Sequence, residues 1–198
     1  MYGLKDERWI KNADQIGMKG KKVILTFDDG PSRQLNAILD VLKEKKVPAV
    51  FFWQSKILHA QRPWKRVIQE GHEIGSHAHN HKNLTSLTKG QQYKQIKMSV
   101  EVLQKITGTN VKFFRPPFGQ YNEDTMNLLK TMGLTPVMWE ITSYDWKHKS
   151  FPGVIIRNVV DHLKEGAIIL LHEVEQTLFV LPELIDRIRA KGYEFTFL

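Results

Sequence analysis

Strand-like and helix-like segments alternate along this chain from residue 23 to the end, and that alternation leaves few folds open. Candidate strands cover 23–27, 49–53, 73–76, 112–115, 135–139, 167–171 and 193–198, and helical periodicity covers 35–45, 63–70, 89–107, 123–132, 153–164 and 178–191. Leu35, Ile38, Leu39 and Leu42 show the apolar spacing of one helix face, as do Leu181, Leu184, Ile185 and Ile188. Gly71, Gly108, Gly133, Gly166 and Gly192 follow five of these helices, where a left-handed cap is favoured. Repeated strand–helix units imply parallel strands joined by helical crossovers. Runs such as Ile168–Leu171 are apolar on both faces, as strands of a barrel or a covered sheet are. No stretch reads as an interdomain linker, so the chain is expected to be one domain, residues 21–198, after an N-terminal arm of residues 1–20.

Composition excludes several classes. The 198 residues suffice for a substantial core, with 41% hydrophobic and 25% charged residues. No apolar run approaches the ~18 residues of a membrane span. The absence of cysteine removes disulfides, thiolate metal sites and cysteine nucleophiles. The formal charge of +8 is spread over scattered lysines, which reads as solvated surface; a nucleic-acid binder would rest on that charge alone. The first twenty residues lack the apolar middle of a secretory signal, which leaves a cytoplasmic protein or the trimmed form of an exported one.

The polar residues that close the strands carry the functional information. Asp28 and Asp29 end the first strand, His77 the third, Arg115 the fourth and His172 the sixth, while Asp145 follows the fifth by a few residues. In parallel α/β folds the C-terminal strand ends share one face, where barrel active sites lie, so these six side chains are expected to converge. Adjacent carboxylates repel unless a cation neutralises them. Asp29 with His77 and His81, four residues apart and able to face one ion if the segment turns helically, forms a donor set suited to zinc. The bland alternative is a polar loop of surface histidines. His79 is expected to point elsewhere, and His59, His72, His148 and His162 read as surface or helix-end residues.

Asp28 need not bind the ion and is placed to act as general base, although Asp28–Pro31 also has the composition of a simple turn. Asp145 is in reach of His172, and a carboxylate partner suits a histidine that donates a proton. Arg115 is expected to hold Asp28. The backbone N–H of Phe118, in the stiff segment Arg115–Gly119, is expected to face an oxyanion, although a Pro-Pro pair can also just end a strand. Trp139, Tyr144 and Trp146, with Phe118, are aromatics that suit a sugar ring as well as a core.

From about Lys21 to Leu198 the chain resembles the polysaccharide deacetylases of the NodB-homology group, carbohydrate esterase family 4. The resemblance rests on Thr26-Phe27-Asp28-Asp29, His77 through His81, Arg115-Pro116-Pro117-Phe118-Gly119, Asp145-Trp146 and Leu170-Leu171-His172, in the family's order. It implies an irregular, TIM-barrel-like (β/α) barrel of about seven parallel strands. It further implies Asp29, His77 and His81 as ligands of Zn2+ or another divalent ion such as Co2+, Ni2+ or Mn2+, with Asp28 as base and His172, tuned by Asp145, as acid. The implied activity is removal of N-acetyl groups from an N-acetylglucosamine-containing glycan, such as peptidoglycan or a chitin-like oligomer, by an extracytoplasmic monomer. A non-catalytic glycan-binding module is the alternative. Three positions depart from the family: Ala78 replaces a Ser or Thr, which implies a missing loop hydrogen bond; Phe118 replaces a Tyr; and Thr142 stands where an acidic residue is common.

Overall fold

The computed structural model describes residues 6–198; the first five residues of the arm lie outside the described residues. The elements, in order, are β1 (Lys22–Gly30), α1 (Leu35–Lys45), β2 (Ala49–Trp53), α2 (Trp64–Gln69), β3 (Glu73–Ser76), α3 (Lys89–Thr107), β4 (Phe113–Phe114) and α4 (Glu123–Thr131). They continue as β5 (Thr135–Pro136), β6 (Ile141–Thr142), α5 (Gly153–Val160), β7 (Ile168–His172), α6 (Glu175–Ala190) and β8 (Glu194–Thr196). The strands form one curled sheet in the order β5-β4-β3-β2-β1-β7-β6, with β8 against the foot of β1. Every pairing between these strands is parallel, which makes the molecule an open (β/α) barrel.

Side-chain alternation on β1 explains how a core strand delivers a carboxylate to the mouth. Val23, Leu25 and Phe27 face outward and pack with Leu35, Leu39, Leu181 and Ile185 of the surrounding helices. Ile24 joins Val50, Phe52, Ile168 and Leu170 inside the curl. A period of two puts Thr26 and Asp28 on that same inner face. Register then sets Asp28 directly beside His172 of β7.

Several elements differ from the sequence expectation for physical reasons. The strand expected over 135–139 stops at Pro136, which has no N–H to continue a ladder. The chain then crosses to the opposite edge, where Ile141–Thr142 forms β6, a strand too short to show a period. Gly166 does not cap a helix, because α5 ends at Val160. Instead its N–H bonds to Lys22 O at the entry to β7, and its missing Cβ leaves room for the Asn12 amide. His72 is buried rather than exposed; its Nδ1 accepts the Ala49 N–H at 3.2 Å, and burial holds its pKa below the usual value.

Residues 10–13 run through the seam between the two sheet edges. Ile10 N–H bonds to Pro136 O at 2.9 Å, Met138 N–H to Ile10 O at 2.8 Å, and Ala13 N–H to Gly166 O at 2.7 Å. Asn12 Nδ2 adds bonds to Glu140 Oε2 and Glu165 O. Trp9 is fully buried, its ring 4.5 Å from that of Tyr121. Truncation of such a side chain costs the transfer energy plus a cavity, so Trp9→Ala is expected to lower the unfolding free energy by about 3–5 kcal/mol. Urea unfolding followed by circular dichroism measures this; a loss below about 1 kcal/mol would show that the arm does not stabilise the seam.

Candidate active site

Adjacent residues of a regular strand point to opposite faces, so Asp28 and Asp29 can share a site only if the strand is broken between them. The break is visible. Register with β2 slips between Asp28 and Gly30, and Asp29 adopts a left-handed φ of 67°. Gln54 Nε2 donates to Asp29 Oδ1 at 2.9 Å and fixes the displaced side chain. Asp28 stays buried, where Arg115 Nη1 donates to its Oδ1 at 2.7 Å.

His77 leaves β3 with its N–H bonded to Trp53 O at 2.8 Å. Its Nδ1 lies 2.8 Å from Arg115 O, which assigns the proton to Nδ1 and turns Nε2 toward the carboxylates. The segment to His81 does not turn helically. Ala78 and His81 both have left-handed φ angles, 62° and 55°, and a tight turn joins them. The result still brings the two rings together, with centroids 5.0 Å apart. Asp29 Oδ1 lies 3.1 Å from His81 Nε2 and 3.6 Å from His77 Nε2, and one donor atom from each of the three side chains lies within 4.8 Å of the other two. One carboxylate and two imidazoles whose free nitrogens meet at one point fit a divalent cation with coordination positions left open. Burial alone would raise the Asp29 pKa, but the imidazoles of His77, His81 and His172 and the Gln54 amide outweigh it and hold it below the usual value. His79 does point away, to Ser55 Oγ at 2.8 Å.

Across the mouth, His172 Nδ1 lies 2.7 Å from Asp145 Oδ1, and its Nε2 lies 3.9 Å from Asp29 Oδ2. Asp145 is fully buried, and its Oδ2 accepts the His172 N–H at 2.6 Å and the Thr177 hydroxyl at 2.5 Å. Burial lowers the His172 pKa, but the hydrogen bond and charge of Asp145, then the charges of Asp28 and Asp29, raise it above the usual value. An exposed aromatic stands over each side of the site: Phe118 lies edge-on to His81 at 4.4 Å, and Trp146 edge-on to His172 at 4.9 Å with Tyr144 behind it. Phe118 has a left-handed φ of 60° after the two prolines. Trp139, unlike the other three, is buried in the wall, 5.6 Å from the Arg115 guanidinium. Nine of the eleven residues singled out in the sequence line a groove of about 670 Å³, and Arg115 and Asp145 lie buried beneath it, bonded to Asp28 and His172.

Sequence reasoning missed Glu173. Its buried carboxylate accepts Trp53 Nε1–H and the Ser32 N–H, both at 2.7 Å, and so ties β2 and the loop after Asp29 to the end of β7. Gly30 is glycine for the same reason, since a Cβ there would collide with the Glu173 carboxyl and the Trp53 ring. A charged residue directly after an apolar strand was the available signal.

A (β/α) barrel that gathers a cation-type donor cluster, a separate carboxylate and a carboxylate-paired histidine at its C-terminal strand ends has its polar residues where barrel enzymes carry their active sites. Residues 15–137 match the family model described as polysaccharide deacetylase, and the chain belongs to that family. It is 33% identical over 178 residues to the peptidoglycan-N-acetylglucosamine deacetylase PgdA of Listeria monocytogenes, covering 88% of this chain but 37% of the relative. The chain thus spans less than two fifths of that relative's length. A solved peptidoglycan N-acetylglucosamine deacetylase in complex with a benzamide ligand superposes with a TM-score of 0.84 at 32% identity, over 91% of this chain and 87% of that one. A mutant of a family pseudoenzyme with restored activity superposes with a TM-score of 0.82 at 26% identity, over 89% and 65%.

Burial raises the Glu173 pKa from 4.5 to about 7. Above pH 7 the carboxyl is ionised in both folded and unfolded chains, and the native state bears the full cost of the buried charge. As pH falls toward 4.5 the native state takes up a proton that the unfolded state does not, so this cost, roughly 3 kcal/mol, disappears. In chelator, the melting temperature of the wild type relative to Glu173→Gln is expected to rise by roughly 5–10 °C between pH 8.5 and 5. A pH-independent difference would remove Glu173 as the titrating group.

Proposed function

We propose that the chain is a metal-dependent N-deacetylase of an N-acetylglucosamine-containing glycan, with residues 21–198 as the catalytic domain. One observation carries the reading: Asp28 is held by Arg115 beside the Asp29–His77–His81 cluster, yet outside it, and lies across from His172. Zn2+ is the favoured ion, with Co2+, Ni2+ and Mn2+ as substitutes. When bound by Asp29, His77 and His81, the ion supplies Lewis acidity that makes water nucleophilic near neutral pH and polarises a carbonyl.

The chain's own residues carry the protons. Asp28, oriented by Arg115, accepts a proton from the water that adds to the acetamide carbonyl carbon. The Phe118 N–H stabilises the negative charge that develops on the carbonyl oxygen. Asp145 holds the His172 Nδ1–H, so that Nε2 donates the proton to the amine as the C–N bond breaks. Acetate and a free amino sugar leave. Phe118, Tyr144 and Trp146 offer faces to the pyranose ring, with Trp139 closing the wall. A glycan of the cell wall implies work outside the cytoplasm, and the enclosed site needs no second copy of the chain.

Acetate release from chitin oligomers and peptidoglycan tests the reading. Chelator is expected to abolish turnover and added Zn2+ or Co2+ to restore it. Asp28→Asn and His172→Ala are each expected to lower kcat by roughly two to four powers of ten. Chelator-insensitive turnover would overturn the mechanism. Glycan binding by the wild type without acetate release would assign a binding module instead.

A further inference from the structure

We propose that Ser99, on α3 and outside every motif, is a positioning residue for the metal-donor loop, clamping the residues on both sides of His77 through one buried hydroxyl. Ser76 Oγ donates to Ser99 Oγ at 2.8 Å, and Ser99 Oγ donates to Ala78 O at 3.0 Å. Ser76, Ala78 and Ser99 are all fully buried, so water cannot replace either bond. The loop needs the clamp. Ala78 holds a left-handed φ of 62°, a conformation that a residue with a Cβ adopts at a cost. Its own side chain has no polar group to hold the turn, and besides the Ser99 bond its carbonyl accepts a longer one from Ser55 N at 3.3 Å. The hydroxyl that the sequence lacks at position 78 is thus supplied from a helix 21 residues further on.

His77 is otherwise fixed at its N–H and Nδ1, which set its height and ring tautomer. The 78–81 turn that carries His81 is held further along by Lys56 N–H to His79 O at 2.9 Å, His79 Nδ1 to Ser55 Oγ at 2.8 Å and Asn80 N–H to Gln95 Oε1 at 3.3 Å. Ser99 sets where that turn starts, because it holds Ala78 O while anchored to Ser76, the last residue of β3. A small swing there would move His81 Nε2 away from Asp29 without unfolding the barrel.

The inference rests on the reading of Asp29, His77 and His81 as ligands, and its test separates the two. Co2+ affinity is measured by competition with a chromogenic chelator, alongside the visible spectrum of the bound ion and the melting temperature. Loss of a group that orients ligands typically weakens metal affinity about 10–100-fold, the effect expected of Ser99→Ala. Ser99→Thr, which keeps the hydroxyl, is expected to restore most of that affinity, and the S99A spectrum is expected to change shape. Ser76→Ala, which leaves the Ser99–Ala78 bond in place, is expected to weaken affinity less, and it serves if S99A does not fold. Wild-type Co2+ affinity in folded S99A, or in folded S76A should S99A not fold, would overturn the role of Ser99 while leaving the metal reading intact. A wild-type protein that binds no Co2+ or Zn2+ would overturn both.

Discussion

One buried guanidinium holds the open barrel in shape. Arg115 is fully buried, projects from the end of β4 into the curl, and spans to β1 on the far side of β3 and β2. Nη1 reaches Thr26 Oγ1 and Asp28 Oδ1, both at 2.7 Å, and Nη2 reaches Met138 O at 2.8 Å. Its face lies 4.1 Å from the Phe52 ring. A cation so far from water persists only when its charge and donors are satisfied, and removing one partner of such a pair typically costs about 3–5 kcal/mol. The strut does two things at once. It ties together strands that share no ladder, and it spends its one ion pair on the carboxylate that the proposed chemistry needs as a base.

The strain in the backbone is concentrated around that strut. Of the six non-glycine residues with positive φ among the described residues, five are Asp29, Ala78, His81, Phe118 and Tyr144, all at the mouth. Such conformations survive where surrounding bonds over-determine them. Gln54 and Glu173 hold the Asp28–Ser32 turn, Ser99 and Ser55 hold Ala78, and Pro116 and Pro117 precede Phe118. The regular strands aim side chains along fixed normals. The strained residues re-aim them toward a common point.

The sequence is legible wherever a local rule decides the outcome. The span of α1 follows from its apolar period, that of α3 from its period and the Gly108 cap, and β2 from a short apolar run. Convergence of Asp28, Asp29, His77, Arg115, Asp145 and His172 follows from the shared direction of parallel strands. Legibility fails where distant partners decide. The two-residue strand β6 exists only because a neighbour offers a ladder, and no period reveals it. The 77–81 segment has helical spacing, yet Ser99 and Arg115 hold it in another shape. Glu173 and Ser99 look like ordinary polar residues until the fold brings Trp53, Ser32 and Ala78 against them. Trp139 carries no mark that distinguishes a buried wall from an exposed platform.

The same register that closes the core also sets the direction of proton flow in the proposed reaction. Asp28 and His172 are paired residues on neighbouring strands, so their backbones differ little in environment. Their fixed partners differ in sign: a guanidinium beside Asp28, a buried carboxylate beside His172. Against the effect of burial, the hydrogen bond and charge of Asp145 favour the imidazolium of His172, the form that holds a proton to give. Neither partner touches the groove directly in the way Asp28 and His172 do. Each is anchored by several further bonds, Arg115 to backbone carbonyls and Asp145 to Thr177 and the His172 N–H, so the polarity cannot relax when substrate enters. In the proposed reaction these two neighbouring strand ends serve as acceptor and donor, and the distinction resides in the buried layer beneath the site.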